Sequence, residues 1–185
     1  MPDAEVRLFE AVYAPEEAAT CFEALRSTLD WQEATITLFG RPIKSPRLSA
    51  WYGDAPYSYS NLTWPARPWP VVLENIKARA EHLAGTIFNG VLANLYRDGR
   101  DSMGWHADDE HELGPDPVIA SVVFGASRRF QFRRKDDITT KLHVSLNDGD
   151  VLVMSAGTQK HWQHAVPKTK LPVGERINLT FRRMT

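Results

Sequence analysis

Arg176-Ile177-Asn178-Leu179-Thr180-Phe181-Arg182 alternates polar and apolar residues without a break. Side chains on a strand point to opposite faces with a period of two. The stretch therefore predicts a strand with Ile177, Leu179 and Phe181 on one face and Arg176, Asn178, Thr180 and Arg182 on the other. The alternation by itself shows only a strand, because half-exposed antiparallel strands commonly carry arginine outward. Working back through the sequence, further short strands are predicted at Phe88–Tyr96, Val118–Phe124, Arg129–Arg133, Lys141–Leu146, Val151–Ser155 and His161–Val166. Asn147-Asp148-Gly149-Asp150 supplies a turn between two of them. Upstream, Pro15–Leu29 reads as an amphipathic helix with Ala18, Phe22, Leu25 and Leu29 inward. A second helix is expected over Val71–Leu83, with Val72, Ile76, Ala80 and Leu83 inward and Gly85 ending it. Ala34–Phe39 alternates like a strand broken by Gly40-Arg41-Pro42, and residues 45–70 read as loops and short strands. Two helices followed by many short strands suggest an antiparallel jelly roll with helical buttresses, mainly β with flanking α.

Trp105-His106-Ala107-Asp108-Asp109-Glu110 carries the chemistry. On an extended chain His106 and Asp108 project the same way. With one distant histidine they make two imidazoles and a carboxylate, the donor set that binds non-haem Fe(II) and leaves its opposite face open. His164 and His161 compete for the third position; three residues apart on a strand they face opposite ways, so only one binds. The arginine row then acquires a second meaning. Two arginines six apart, beside a metal, suit the ends of a small dicarboxylate, and guanidinium pairs with carboxylate better than ammonium does. The combination points to an oxygenase using Fe(II), 2-oxoglutarate and O₂.

Other candidates have plainer alternatives. Asn94 and Tyr96 share a face and could hydrogen-bond the cosubstrate, or serve as a bulge cap and a core residue. Trp51, Tyr52, Tyr57 and Tyr59, with Arg41, Lys44 and Arg47 nearby, suit stacking on bases and pairing with phosphates, or form an aromatic mini-core. Arg128, Arg129, Arg133, Arg134 and Lys135 are either a solvated face or a phosphate-binding patch.

The bulk properties exclude several classes. At 185 residues, 43% hydrophobic and 24% charged, the chain fits one globular domain with a substantial core. A net charge of -1 argues against holding nucleic acid by global electrostatics, leaving local patches. The single cysteine, Cys21, excludes an internal disulfide and any cysteine-rich metal module. The start, Met1-Pro2-Asp3-Ala4-Glu5, has no signal-peptide pattern, and no run is apolar enough to span a bilayer. A reducing intracellular compartment is expected: the cytoplasm, or the nucleus in a eukaryote.

On these residues the chain resembles the AlkB family of nucleic-acid dealkylating dioxygenases, in the branch with the animal DNA-repair homologues. The match runs from about Leu38 to Arg183. It takes in Pro46-Arg47-Leu48-Ser49-Ala50-Trp51-Tyr52-Gly53, Asn94-Leu95-Tyr96-Arg97-Asp98, the His106 segment, Ile119-Ala120-Ser121-Val122-Val123-Phe124-Gly125-Ala126 and the arginine row. The resemblance implies a double-stranded β-helix core over about 86–185 and a nucleotide-recognition lid over about 34–70, within one domain spanning 1–185. It implies His106, Asp108 and His164 as iron ligands, and Asn94, Tyr96, Arg176, Thr180 and Arg182, with Asn178 between them, as 2-oxoglutarate contacts. Asp109 matches a catalytic carboxylate facing the damaged base, with a solvated ion pair as its alternative. Tyr59, with Tyr52 or Trp51, matches residues that stack on or fence a flipped base; Phe39 matches a hairpin tip, and Arg47 joins the substrate contacts. The place of Asn61 is aromatic in duplex-repairing relatives, which leaves strandedness open. The implied reaction is oxidative demethylation of 1-methyladenine or 3-methylcytosine in DNA by a monomer, releasing aldehyde, succinate and CO₂. Two rivals stand beside it. One is a 2-oxoglutarate oxygenase of RNA, protein or a small metabolite; the other is a jelly-roll binding module with structural histidines.

Overall fold

The alternating stretch 176–182 is a strand, but a central one, hydrogen-bonded along both edges. The structure, a computed structural model, describes every residue except 39, 40, 60 and 61, and leaves out the side chains of 36–38, 41, 42, 59 and 62 as well. In chain order its elements are β1 (Glu5–Phe9), α1 (Pro15–Thr28), β2 (Thr35–Leu38), β3 (Arg41–Lys44), β4 (Leu48–Gly53), β5 (Tyr57–Tyr59) and β6 (Leu62–Trp64). Then follow α2 (Val71–Ala84), β7 (Gly90–Tyr96), β8 (Met103–His106), β9 (Ile119–Gly125), β10 (Arg128–Arg134), β11 (Lys141–Leu146) and β12 (Val151–Ser155). The chain closes with α3 (Thr158–His161), β13 (Trp162–Val166) and β14 (Arg176–Arg182).

Six strands form a major sheet in the order β1-β12-β9-β14-β7-β4, and four form a minor sheet in the order β11-β10-β13-β8. Every named pairing is antiparallel, and the two sheets make the expected jelly roll. The period of two divides the interior. Ile177, Leu179 and Phe181 meet Leu25 of α1 and Leu73 and Ile76 of α2 in one apolar cluster on the helical side. Between the sheets a second cluster joins Val123 and Leu152 to Phe130, Phe132 and Trp162. The polar face of β14 therefore looks into the space between the sheets rather than into water.

Both helices form where expected. Glu16 and Glu17 occupy the first turn of α1, where the helix dipole favours negative charge, and Gly85 closes α2 in the left-handed region at φ 70°. In α2 the most buried positions are Leu73, Ile76, Ala80 and Ala84, so the inward face is turned slightly from Val72 and Leu83, which are partly buried. No helix among the described residues is long and apolar enough to cross a membrane.

Several expectations need correction. The first strand does end at Leu38, but Arg41 and Pro42, expected only as breakers, lie in β3, which is paired with β2. His161 ends the short helix α3 instead of opening the following strand. The segment 34–70 is not one lid, because β4 is the edge strand of the major sheet, while the β2–β3 and β5–β6 hairpins stand apart from it. The core likewise reaches outside 86–185, since β1 pairs with β12 at the other edge.

Gly90 faces Gly53 across the β4–β7 ladder, and a Cβ at Gly90 would run into the Trp51 indole. Gly90→Ala is expected to lower stability by about 1–3 kcal/mol through overpacking, read as a fall in thermal midpoint; an unchanged midpoint would mean that Trp51 has room to move.

Candidate active site

The site is built where two sheets present polar side chains to each other. His106 is the last residue of β8 and His164 lies on β13; the two are cross-strand partners, with ring centroids 4.2 Å apart. Asp108 lies two residues beyond the end of β8, in the loop that follows, rather than on the strand itself. One ligand-capable atom from each of His106, Asp108 and His164 falls within 4.8 Å of the others. His161 stands outside that group.

These residues fit a metal. His106 Nδ1 is 2.9 Å from the Gly104 carbonyl, which can only accept, so the proton sits on Nδ1 and Nε2 keeps a free lone pair. Asp108 Oδ1 accepts from Arg182 Nη2 at 2.7 Å. Asp108 Oδ2 is buried without a hydrogen-bond partner among the described residues, 3.4 Å from His164 Nε2. A buried carboxylate oxygen left open between two imidazoles is costly unless a cation completes it. Desolvation, with the His164 imidazole close by, lowers His106 to about 3 and keeps it neutral as a ligand. Burial alone would raise the Asp108 carboxyl; Arg182, His164 and His106 outweigh it and hold Asp108 well below the usual carboxylate range.

Between the sheets lies a pocket lined by His106, Asp108 and His164 together with Asn94, Tyr96, Asn178, Thr180 and Arg182. Behind the lining residue Tyr96, Arg176 is fully buried over that ring, 5.2 Å from its centroid. Its Nη2 donates to Asn178 Oδ1 at 2.9 Å, while Nε and Nη1 have no partner among the described residues. Desolvation lowers this guanidinium to about 10, so it remains charged at neutral pH. Two unpartnered donors on a buried cation suit a carboxylate. The two arginines thus divide the work: Arg182 is already committed to Asp108 and to Tyr57 Oη at 2.6 Å, and Arg176 is open.

Asn178 links the row, accepting from Ser121 as well as Arg176 and donating to Thr180. Asn94 Oδ1 accepts from Arg47 Nε at 2.8 Å and Ser49 Oγ at 3.0 Å, which turns its amide nitrogen away from both.

The expected base-recognition residues fare differently. Arg47 is buried on Asn94 and the Ser102 carbonyl, so it braces the pocket wall instead of reaching outward. Trp51 is fully buried, stacked on Tyr57 at 4.6 Å, and Tyr52 is buried in the helical-side core with its hydroxyl accepting from the Asp30 amide. Neither ring offers a face to a base, because the alternation of edge strand β4 sends one into each core. Asp109 is exposed at the rim and paired with Lys135 Nζ at 2.8 Å. Phe39 and Asn61 lie outside the described residues, as does the side chain of Tyr59. The basic patch is also dispersed. Arg128 is buried on the carbonyls of Asp98, Asp101 and Pro167, and Arg134 is paired with Asp3 and Asp136.

Glu110, without a role in the sequence reading, and Tyr57, expected only in an aromatic cluster, join the site. Tyr57 donates to Glu110 Oε1 at 2.8 Å, so Arg182, Tyr57 and Glu110 form a chain from the metal carboxylate to the β5–β6 hairpin. Extending the period of two from His106 and Asp108 by one step would have found Glu110.

A family model described as the 2OG-Fe(II) oxygenase superfamily matches residues 5–182. Human alpha-ketoglutarate-dependent dioxygenase alkB homolog 3 is 40% identical over 186 residues, 96% of this chain and 65% of the relative. Mouse DNA oxidative demethylase ALKBH2 is 38% identical over 188 residues, 95% of this chain and 79% of the relative. The chain thus spans about two thirds of the length of alkB homolog 3. The solved structure of OsALKBH1 has a TM-score of 0.65 at 17% identity, covering 97% of each chain, a likeness of fold.

His106 has a depressed folded value, about 3 against 6.5 for the free side chain. Between those limits the unfolded chain binds the extra proton, so unfolding free energy falls as pH drops from about 6.5 toward 3. Urea midpoints of metal-free protein should fall across that window, and His106→Asn should flatten the fall; equal slopes in both proteins would refute a buried neutral His106.

Proposed function

The chain belongs to the AlkB family within the 2OG-Fe(II) oxygenase superfamily, and from that membership we propose that it removes alkyl groups from nucleic-acid bases by oxidation. The observation that carries the reading is the pairing of an open buried carboxylate oxygen on Asp108, between two imidazoles, with unpartnered donors on buried Arg176. The His106, Asp108 and His164 group suits a divalent cation, and Arg176 suits a carboxylate.

Fe(II) held by His106, Asp108 and His164, with 2-oxoglutarate and O₂, supplies hydroxylation of the alkyl carbon on a base nitrogen, with succinate and CO₂ as coproducts. The protein's part is position and charge. Arg176 takes the distal carboxylate of the cosubstrate, and Asn94, Tyr96 and Thr180 hydrogen-bond its length. Arg182 keeps Asp108 ionised and aimed, and Phe130, stacked on His164 at 5.2 Å, fixes that imidazole and excludes water beside it. A base enters by leaving its stack, at a cost of a few kcal/mol that a lesion already blocking pairing reduces. The hydroxylated carbon then separates as an aldehyde, its hydroxyl proton passing to water and the ring nitrogen keeping the bonding pair.

Asp109 would face a cationic base such as 1-methyladenine or 3-methylcytosine after exchanging its bond to Lys135. Tyr59 and Phe39 are the remaining candidates for base contact. DNA is the proposed substrate, acted on by a single-domain monomer inside the cell.

The test is aerobic incubation with Fe(II), 2-oxoglutarate, ascorbate and an oligonucleotide carrying one 1-methyladenine. Mass spectrometry should register loss of the methyl mass only when iron and cosubstrate are both present. Asp108→Ala should abolish it, and Arg176→Met should raise KM for 2-oxoglutarate roughly 10- to 100-fold, as loss of a charge-assisted hydrogen bond predicts. Consumption of 2-oxoglutarate with the oligonucleotide untouched would keep the oxygenase and discard this substrate.

A further inference from the structure

We propose that Gln159 is a positioning residue for the metal site, holding the Asp108 loop in place from the segment that carries His164. His106 and His164 sit in a β-ladder, whereas Asp108 lies beyond the end of β8, where no ladder fixes its backbone. A ligand on a free loop would lose conformational entropy on meeting a metal. Gln159 supplies the missing anchor: its Oε1 accepts the Asp108 amide N–H at 3.0 Å in a fully buried setting.

The side chain is suited to that single task. It is 2% exposed, and its Nε2 lies 3.7 Å from Met154 Sδ, a weak acceptor. The Asp108 N–H can only donate and the thioether can only accept, so the amide has one orientation. Gln159 sits on α3, directly before β13, and neighbouring Thr158 ties that turn to the carbonyls of Glu5 and Ser155. The bond thus runs from the loop of one ligand to the element leading into another. Asp108 is held at two points from opposite sides, its amide by Gln159 and its carboxylate by Arg182 of the major sheet.

This rests on the metal reading of His106, Asp108 and His164, and the experiment separates the two. Mn(II) affinity of the metal-free protein is measured by calorimetry for the parent, Gln159→Met and Gln159→Glu, with thermal midpoints alongside. Met keeps the shape and removes the acceptor; Glu keeps the acceptor. The expected result is Mn(II) affinity reduced roughly 10- to 100-fold in Gln159→Met, the range for outer contacts of a metal ligand. Gln159→Glu should restore affinity to within a few fold of the parent. Parental affinity in Gln159→Met overturns the assignment while the metal reading stands; a parent that binds no Mn(II) removes both. Should Gln159→Met not fold, amide exchange in the metal-free parent decides. The Asp108 amide should exchange slowly although it lies outside any ladder, and exchange as fast as that of an exposed loop overturns the proposal.

Discussion

The buried ion pair between Arg182 and Asp108, 2.7 Å long with both side chains almost wholly enclosed, is the contact on which the site depends. It joins the last residue of a central strand in one sheet to a loop that leaves the other. Two charges withdrawn from water are seldom a net gain in stability, yet removing one partner typically costs about 3–5 kcal/mol because the other is left bare. The pair is therefore better understood through what it fixes than through what it stabilises. Arg182 bonds Oδ1 and leaves Oδ2 without a hydrogen-bond partner among the described residues, 3.4 Å from His164 Nε2. It also forces the charged form of Asp108 in a place where burial alone would favour the neutral acid.

Arg176 poses the complementary problem. Among the described residues no carboxylate pairs with it, and its charge is offset only by the Asn178 amide oxygen and the face of Tyr96. Six residues apart on one strand, Arg182 is bonded through both terminal nitrogens to Tyr57 and Asp108, whereas Arg176 is bonded through Nη2 alone. An unpaired buried cation costs folding free energy, and a bound dicarboxylate offsets that cost by an amount that grows with the logarithm of its concentration over its dissociation constant. Stability and recognition are thus coupled at the same guanidinium, and the surrounding apolar clusters must carry the deficit in its absence.

The sequence reading reached far because one physical period governs both fold and site. Alternation at 176–182 located the strand and sorted its faces, and the same period joined His106 to Asp108. Alternation could not tell whether the polar face met water. That depends on β14 being central, flanked by β7 and β9, which is a property of the whole sheet. The same limit explains Trp51 and Tyr52. An aromatic pair in a stretch rich in proline and tyrosine looked like a recognition surface, but β4 buries one ring in each core. Arg47 and Arg128 look cationic and exposed on paper; their roles are set by carbonyl and amide acceptors 27 to 55 positions away. β1 escaped notice because its partner, β12, lies about 145 residues downstream, and five residues with two charges among them carry little signal.

Asp108, Asp109 and Glu110 illustrate how little chain the design uses. Three consecutive carboxylates on an extended loop cannot point the same way, and the alternation distributes them among three environments. Asp108 turns inward to the imidazoles and Arg182. Asp109 turns outward to Lys135, just past the end of β10. Glu110 turns inward again and accepts from Tyr57 of β5. Ligand, rim and hairpin are consequently mechanically linked through single peptide units, so a displacement of the β5–β6 hairpin acts on Asp108 by two routes. One runs through the backbone from Glu110, and the other runs through Tyr57 and Arg182. Both routes end at the carboxylate whose remaining oxygen is open.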